Sequence, residues 1–158
     1  MKVDEYLLSL ERNLMLGSAR WVADFAESFR NFRIGDTVFD MMVRGTLKTK
    51  GLFLSRLLSY FLLPSYGVAC FVYCREPTKK TLKRITKLIS RYMEDEGLGW
   101  SWLVIAKEGA FSPQLREAVE GMELKEIGVA LVDLSSQEVL TTESYLGRRM
   151  RSHVRCFK

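Results

Sequence analysis

The chain reads as a single α/β domain, residues 1–158, with a mixed sheet around a central parallel strand-helix-strand-helix-strand core at residues 67–134. A C-terminal β-hairpin follows, and N-terminal helices pack on the core. Three observations predict this. GVACFVYC (67–74) and WSWLVIA (100–106) are continuous apolar runs, as expected of strands buried on both faces. Amphipathic segments with clear start and stop residues separate and follow them. The 158 residues are 47% apolar and 27% charged, enough for one core without disulfide or metal staples. The same numbers exclude chain-wide disorder, collagen, a coiled-coil rod and a disulfide scaffold.

Residues 1–63 read as mainly helical. Leu7, Leu10 and Leu14 form one apolar stripe on a helix over residues 4–16, which Gly17 ends. Ser18 is placed to cap a second helix to about Arg30, burying Val22, Phe25 and Phe29. After Gly35, Thr37 to Arg44 reads as a strand with Phe39, Met41 and Val43 on one side and Asp40 and Arg44 on the other. A polar loop with Lys48 and Lys50 follows, then an apolar helix from Leu52 to Leu63 ended by Pro64.

From Gly67 the order is strand, helix, strand, helix, strand. Pro77 and Thr78 open a helix to about Glu96 whose core face is Leu82, Ile85, Leu88, Ile89, Tyr92 and Met93. Trp100 and Trp102 alternate on the next strand and share its core face. Ser112 caps a helix with Pro113 at its first position and Gly121 at its end. Ile127 to Leu134 is a third strand, Ser135 and Ser136 turn the chain, and Glu138 to Thr142 returns antiparallel. Residues 147–158 read as a basic tail, in which His153 is a surface residue.

The net charge of +5 is segregated. Residues 75–93 carry seven bases and one acid, residues 94–146 three bases and eleven acids, and residues 147–158 five bases and no acid. Lys79 opens the basic helix, and Lys80, Lys83, Arg84, Lys87 and Arg91 recur at three- and four-residue spacing, opposite the apolar stripe. Like charges so spaced repel by a few tenths of a kcal/mol each, a strain that a phosphate-bearing partner relieves while releasing counterions. Arg148, Arg149, Arg151 and Arg155 add to this surface if the tail folds back beside that helix. Aromatic residues do not alternate with these bases, so single-strand stacking is not signalled.

The three cysteines, Cys70, Cys74 and Cys156, form no disulfide framework or zinc pattern, and Cys70 and Cys74 read as small buried hydrophobes. This pattern, with acids at Asp4 and Glu5 and no signal-peptide apolar region, points to a reducing cytoplasm. The apolar stretch from Leu52 to Cys74 is broken by Arg56, Pro64 and Gly67, so it reads as a helix and a strand rather than a membrane span.

No phosphate loop, dinucleotide fingerprint or nucleophile elbow is present, and one histidine does not make a catalytic triad. The stretch SWLVIAKEGAFSPQLREAVEGMELKEIGVALVDL, however, resembles the distal half of the restriction-endonuclease-like superfamily, the PD-(D/E)xK nucleases. There a strand ends in a short polar loop, then come a phenylalanine, a capped helix and a strand ending in an acid. The resemblance covers about residues 67–140. It implies an aspartate on an early strand, where Asp40 stands, and Glu-x-Lys at Val72 to Arg75. Here Tyr73 replaces the acid and Arg75 the lysine, and a phenol does not replace a carboxylate on Mg²⁺. The stretch between Asp40 and Tyr73 is also longer than the family pattern. The resemblance thus implies a degraded nuclease fold without metal-dependent hydrolysis, serving as a binding or scaffold subunit.

Three functions follow as expectations. The first is a non-catalytic, cofactor-free domain binding DNA or RNA through Lys79, Lys80, Lys83, Arg84, Lys87, Arg91, Arg148, Arg149 and Arg151, within a homo-oligomer or larger assembly. The second is a nuclease using Mg²⁺ or Mn²⁺, in which Asp40 joins Glu76 or Glu108 with Lys107 or Arg75 stabilising developing charge. The third is an interaction module that self-associates through its opposed charges or a sheet edge.

Overall fold

The computed structural model describes residues 1–47 and 67–157. The loop carrying Lys48 and Lys50 and the helix expected from Leu52 to Leu63 lie outside the described residues. The first helix forms as the leucine stripe predicts: α1 (Val3–Leu16) buries Tyr6, Leu7, Leu10 and Leu14. The backbone N–H of Lys2 donates to Glu5 Oε2 at 3.2 Å, tying down its first turn.

Beyond Gly17 the sequence expectation fails. Ser18 does not cap a long helix. A short 3-10 turn (Ser18–Trp21) leads into strand β1 (Asp24–Ile34), which pairs antiparallel with β2 (Thr37–Thr46) across the Gly35–Asp36 turn. Residues 1–47 are therefore one helix and a long β-hairpin rather than mainly helical. Phe25 and Phe29 are four apart, which mimics a helical face, but only Phe25 is buried. A bulge at Phe25/Glu27 breaks the strand alternation that would have revealed β1.

Alternation is broken again at Asn31, which sits in the left-handed region at φ 51°. On the facing strand, Met41 and Val43 enter one core layer while Phe39 and Met42 enter the other. Phe39, Met41 and Val43 therefore do not share a side as period-two alternation requires; the faces exchange across Asp40.

The second half forms as read. β3 (Gly67–Tyr73) pairs antiparallel with β2. It is followed by α2 (Lys79–Glu96), β4 (Leu98–Lys107), α3 (Pro113–Glu120), β5 (Ile127–Asp133) and β6 (Glu138–Thr141). The Thr78 hydroxyl accepts from Thr81 N–H at 3.1 Å to cap α2, and Gly97 ends it in the left-handed conformation at φ 66° that glycine adopts without penalty. Ser112 caps α3, with Pro113 in its first turn. The residues expected to be a basic tail instead form a docked helix, α4 (Tyr145–Val154), with Met150 and Val154 fully buried.

The six strands lie in sequence order, β1-β2-β3-β4-β5-β6, with β3, β4 and β5 parallel. Both crossovers step in the same direction, so α2 and α3 fall on one face. Leu82, Ile85, Ile89 and Met93 of α2 and Leu115 and Val119 of α3 share a layer with Phe71, Leu103 and Val129. The opposite layer holds α1 and α4 over Cys70, Val72, Trp102, Val104 and Val132. Each buried aliphatic side chain contributes about 1.5–3 kcal/mol relative to exposure, so both helix layers are anchored mainly by burial. Because the strand order never reverses within the parallel strands, the described residues form no switch-point crevice of the kind that holds ligands in doubly wound sheets.

Candidate functional site

The α2 face is the most strongly charged helix surface among the described residues. Lys79, Lys80, Lys83, Arg84, Lys87 and Arg91 are all exposed, as the spacing predicts. Among the described residues, Arg84 alone of these is paired: its Nη1 lies 3.3 Å from Asp36 Oδ2 in the β1–β2 turn. For Lys79, Lys80, Lys83, Lys87 and Arg91, no carboxylate among the described residues stands within ion-pair distance. A depression of about 580 Å³ runs along Lys80, Lys83, Arg84, Lys87 and Arg91. A second groove, of about 730 Å³, lies between α2 and α3 and sets Lys79, Lys83 and Lys87 against Glu117 and Glu123.

Arg148, Arg149 and Arg151 are exposed on α4, with Arg155 just beyond. They do not join the α2 stripe. α4 packs on the layer with α1, on the other face of the sheet. The Arg149 guanidinium lies 5.8 Å from the centre of the exposed Tyr145 ring. The sequence missed this helix; its signal was Met150 and Val154, four apart, behind Ser144, whose hydroxyl accepts from Gly147 N–H at 3.1 Å.

Asp40, Glu76 and Lys107 gather near the C-terminal ends of the parallel strands. Asp40 Oδ2 accepts from Cys74 N–H at 2.7 Å. Glu76 Oε2 lies 2.7 Å from Lys107 Nζ, and Glu76 Oε1 accepts from Ser112 N–H at 2.8 Å. The Lys107 ammonium first, then the Ser112 hydroxyl and N–H, lower the Glu76 carboxyl to about 2. Both Glu76 oxygens are thus engaged in joining the β3 end to the β4 end and the α3 cap. Arg75 donates to Val38 O at 3.0 Å and lies over the Tyr73 ring, while Glu108 pairs with Lys2 at 3.2 Å. Among the described residues, no group of three or more His, Cys, Asp or Glu side chains is placed to hold a metal ion.

The acid that ends β5 in the resemblance is Asp133, buried and opposite Lys107 in the register, and the sequence assigns it no contacts. Burial pushes its carboxyl up, but the Ser136 hydroxyl and the N–H groups of Ser135, Ser136 and Gly109 outweigh this and lower it. The D-L-S-S run was the available signal, since Asp accepting from N–H groups two and three residues on is turn chemistry.

His153 is not a plain surface residue. Its half-buried ring stacks on Trp102, with centroids 5.8 Å apart and planes 17° apart, and Nδ1 lies 3.1 Å from Ser18 Oγ. Burial, then Arg149, lower its pKa. Cys70, Cys74 and Cys156 are free thiols against the same layer, Cys70 buried and the other two half-buried. Burial raises all three, Cys74 to about 12 and Cys156 to about 11. Among the described residues, no helix is long and apolar enough to cross a membrane. No protein-family model matches the chain, and neither does any curated protein or solved structure.

Proposed function

We propose that this protein binds nucleic acid, DNA or RNA, through the outer face of α2, as a non-catalytic domain. The observation that carries the reading is the row of five exposed bases, Lys79, Lys80, Lys83, Lys87 and Arg91, with no acid among the described residues in ion-pair reach. From Lys79 to Arg91 the row runs about 18 Å along the helix, a length that meets several successive phosphates of one strand. Backbone contacts of this kind give affinity without reading sequence.

The non-catalytic part rests on the strand-end cluster. Asp40 and Glu76 already accept hydrogen bonds from Cys74, Lys107 and Ser112, so these carboxylates act as joints between strand ends.

Self-association is the second reading, favoured by the groove that sets α2 lysines beside Glu117 and Glu123. In a head-to-tail contact the bases of one copy meet the acids of the next.

Fluorescence anisotropy with labelled duplex DNA, single-stranded DNA and RNA, with and without Mn²⁺, tests the reading. Binding at low salt with the probe intact in Mn²⁺ is expected. Mn²⁺-dependent cleavage lost in Asp40→Ala would establish the nuclease instead. A salt-sensitive oligomer that ignores all three probes would establish self-association.

A further inference from the structure

We infer that the α4 face is a second, separate phosphate-binding surface, so that one chain bridges two duplex segments of nucleic acid. The inference rests on the α2 reading and adds a second site to it. Arg148, Arg149 and Arg151 are exposed on one helix, Arg155 continues the row, and none has an ion-pair partner among the described residues. Guanidinium groups fork onto phosphate oxygens, which suits this face to a nucleic-acid backbone. Gly128 lets the helix sit directly on β5 and Gly147 lets its first turn close on Thr142, so the arginines project from a rigid support.

Geometry separates this surface from α2. The two helices lie on opposite faces of one sheet. Their axes are therefore about 20 Å apart and their outer faces about 30 Å apart. Duplex DNA is stiff over about 150 base pairs, so a short duplex seated on α2 does not curl round to α4. The route round the β6 edge is also acidic. Residues 113–146 carry two bases and seven acids, among them the exposed Glu117, Glu120 and Glu143, while Glu138 is paired with Arg116 at 2.8 Å. A strand following that edge meets repulsion, whereas two separate duplexes each meet a cationic helix.

The test uses the full chain and two DNA duplexes of about 20 base pairs, one carrying a donor dye and the other an acceptor. Wild-type protein is expected to bring the dyes together, with an optimum in protein concentration. The Arg148→Gln/Arg149→Gln/Arg151→Gln variant is expected to keep single-duplex affinity within about threefold but to lose dye coincidence by at least about tenfold. These side chains are exposed, and an unchanged melting curve confirms the fold. A Lys80→Gln/Lys83→Gln/Lys87→Gln variant removes three of the five α2 bases that carry the first site and is expected to lose coincidence as well. Single-duplex binding without coincidence in the wild type would overturn the bridge and leave the α2 reading intact. Full coincidence in the α4 variant would assign bridging to paired copies instead. Absence of any duplex binding would remove both readings.

Discussion

Glu76 and Lys107, 31 residues apart in sequence, meet at 2.7 Å and join the ends of two neighbouring parallel strands. The same carboxylate holds the N–H of Ser112, the cap of the helix that follows β4. The pair occupies the strand ends where an α/β enzyme would place its chemistry, and here it acts as a joint.

Its effect on stability has a defined sign. The Glu76 carboxyl is held at about 2 against an ordinary value near 4.5, so the folded state favours the ionised form. The stabilisation is fully present above pH ~4.5 and is lost as pH falls through ~2. With the pair at the surface, solvent screening leaves about 0.5–1 kcal/mol. Glu76→Gln should lower stability by that amount at pH 7, and the difference from wild type should shrink below pH 4.5. Urea denaturation across pH 2.5–7 measures it; a difference constant with pH would show that the ion pair contributes nothing.

Gly147 sets how closely α4 approaches the sheet. A Cβ there would fall on the carbonyl oxygen and Oγ1 of Thr142. Gly147→Ala should therefore push α4 away from its neighbours and destabilise the protein by about 2–3 kcal/mol, well beyond an ordinary surface change. Thermal melts check the size. Amide exchange checks the place, with protection lost first in residues 145–154.

His153 gives the α4 layer a pH dependence at milder acidity. Its pKa lies below the ordinary value because burial against Trp102, then Arg149, disfavours the charged ring. Of its neighbours, Ser18, Asn13 and Trp102 are uncharged, and no carboxylate among the described residues pairs with it. Stability is therefore full above pH ~6.5 and declines as pH falls from there through the lowered folded-state value. His153→Gln should flatten the melting temperature between pH 7.5 and 5, and an unchanged slope would assign that dependence to other groups.

How much of this was legible in the sequence follows from how each element announces itself. The stretch from Gly67 to Thr141 was readable because β3, β4 and β5 are buried on both faces and the helices between them carry Thr78, Gly97, Ser112 and Pro113 at their ends. β1 reads as a helix because Phe25 and Phe29 fall at helical spacing while a bulge and Asn31 interrupt its alternation. α4 reads as a tail because Gly147 looks like a breaker and the arginines mask the Met150–Val154 pair. The basic row on α2 was visible as a row. Its separation from the α4 arginines was not, since only the stacking of both helices on one sheet assigns them opposite faces.

On the proposed reading, the five α2 bases with no ion-pair partner among the described residues meet phosphates. The most direct measurement is the salt dependence of affinity for a labelled duplex, compared between wild type and the Lys80→Gln/Lys83→Gln/Lys87→Gln/Arg91→Gln variant. Each phosphate contact removed should flatten the log–log slope by about 0.9, so the variant's slope should be shallower by about 3–4 and its affinity at low salt much weaker. An unchanged slope and affinity in the variant would contradict the claim and leave α2 a solvated surface.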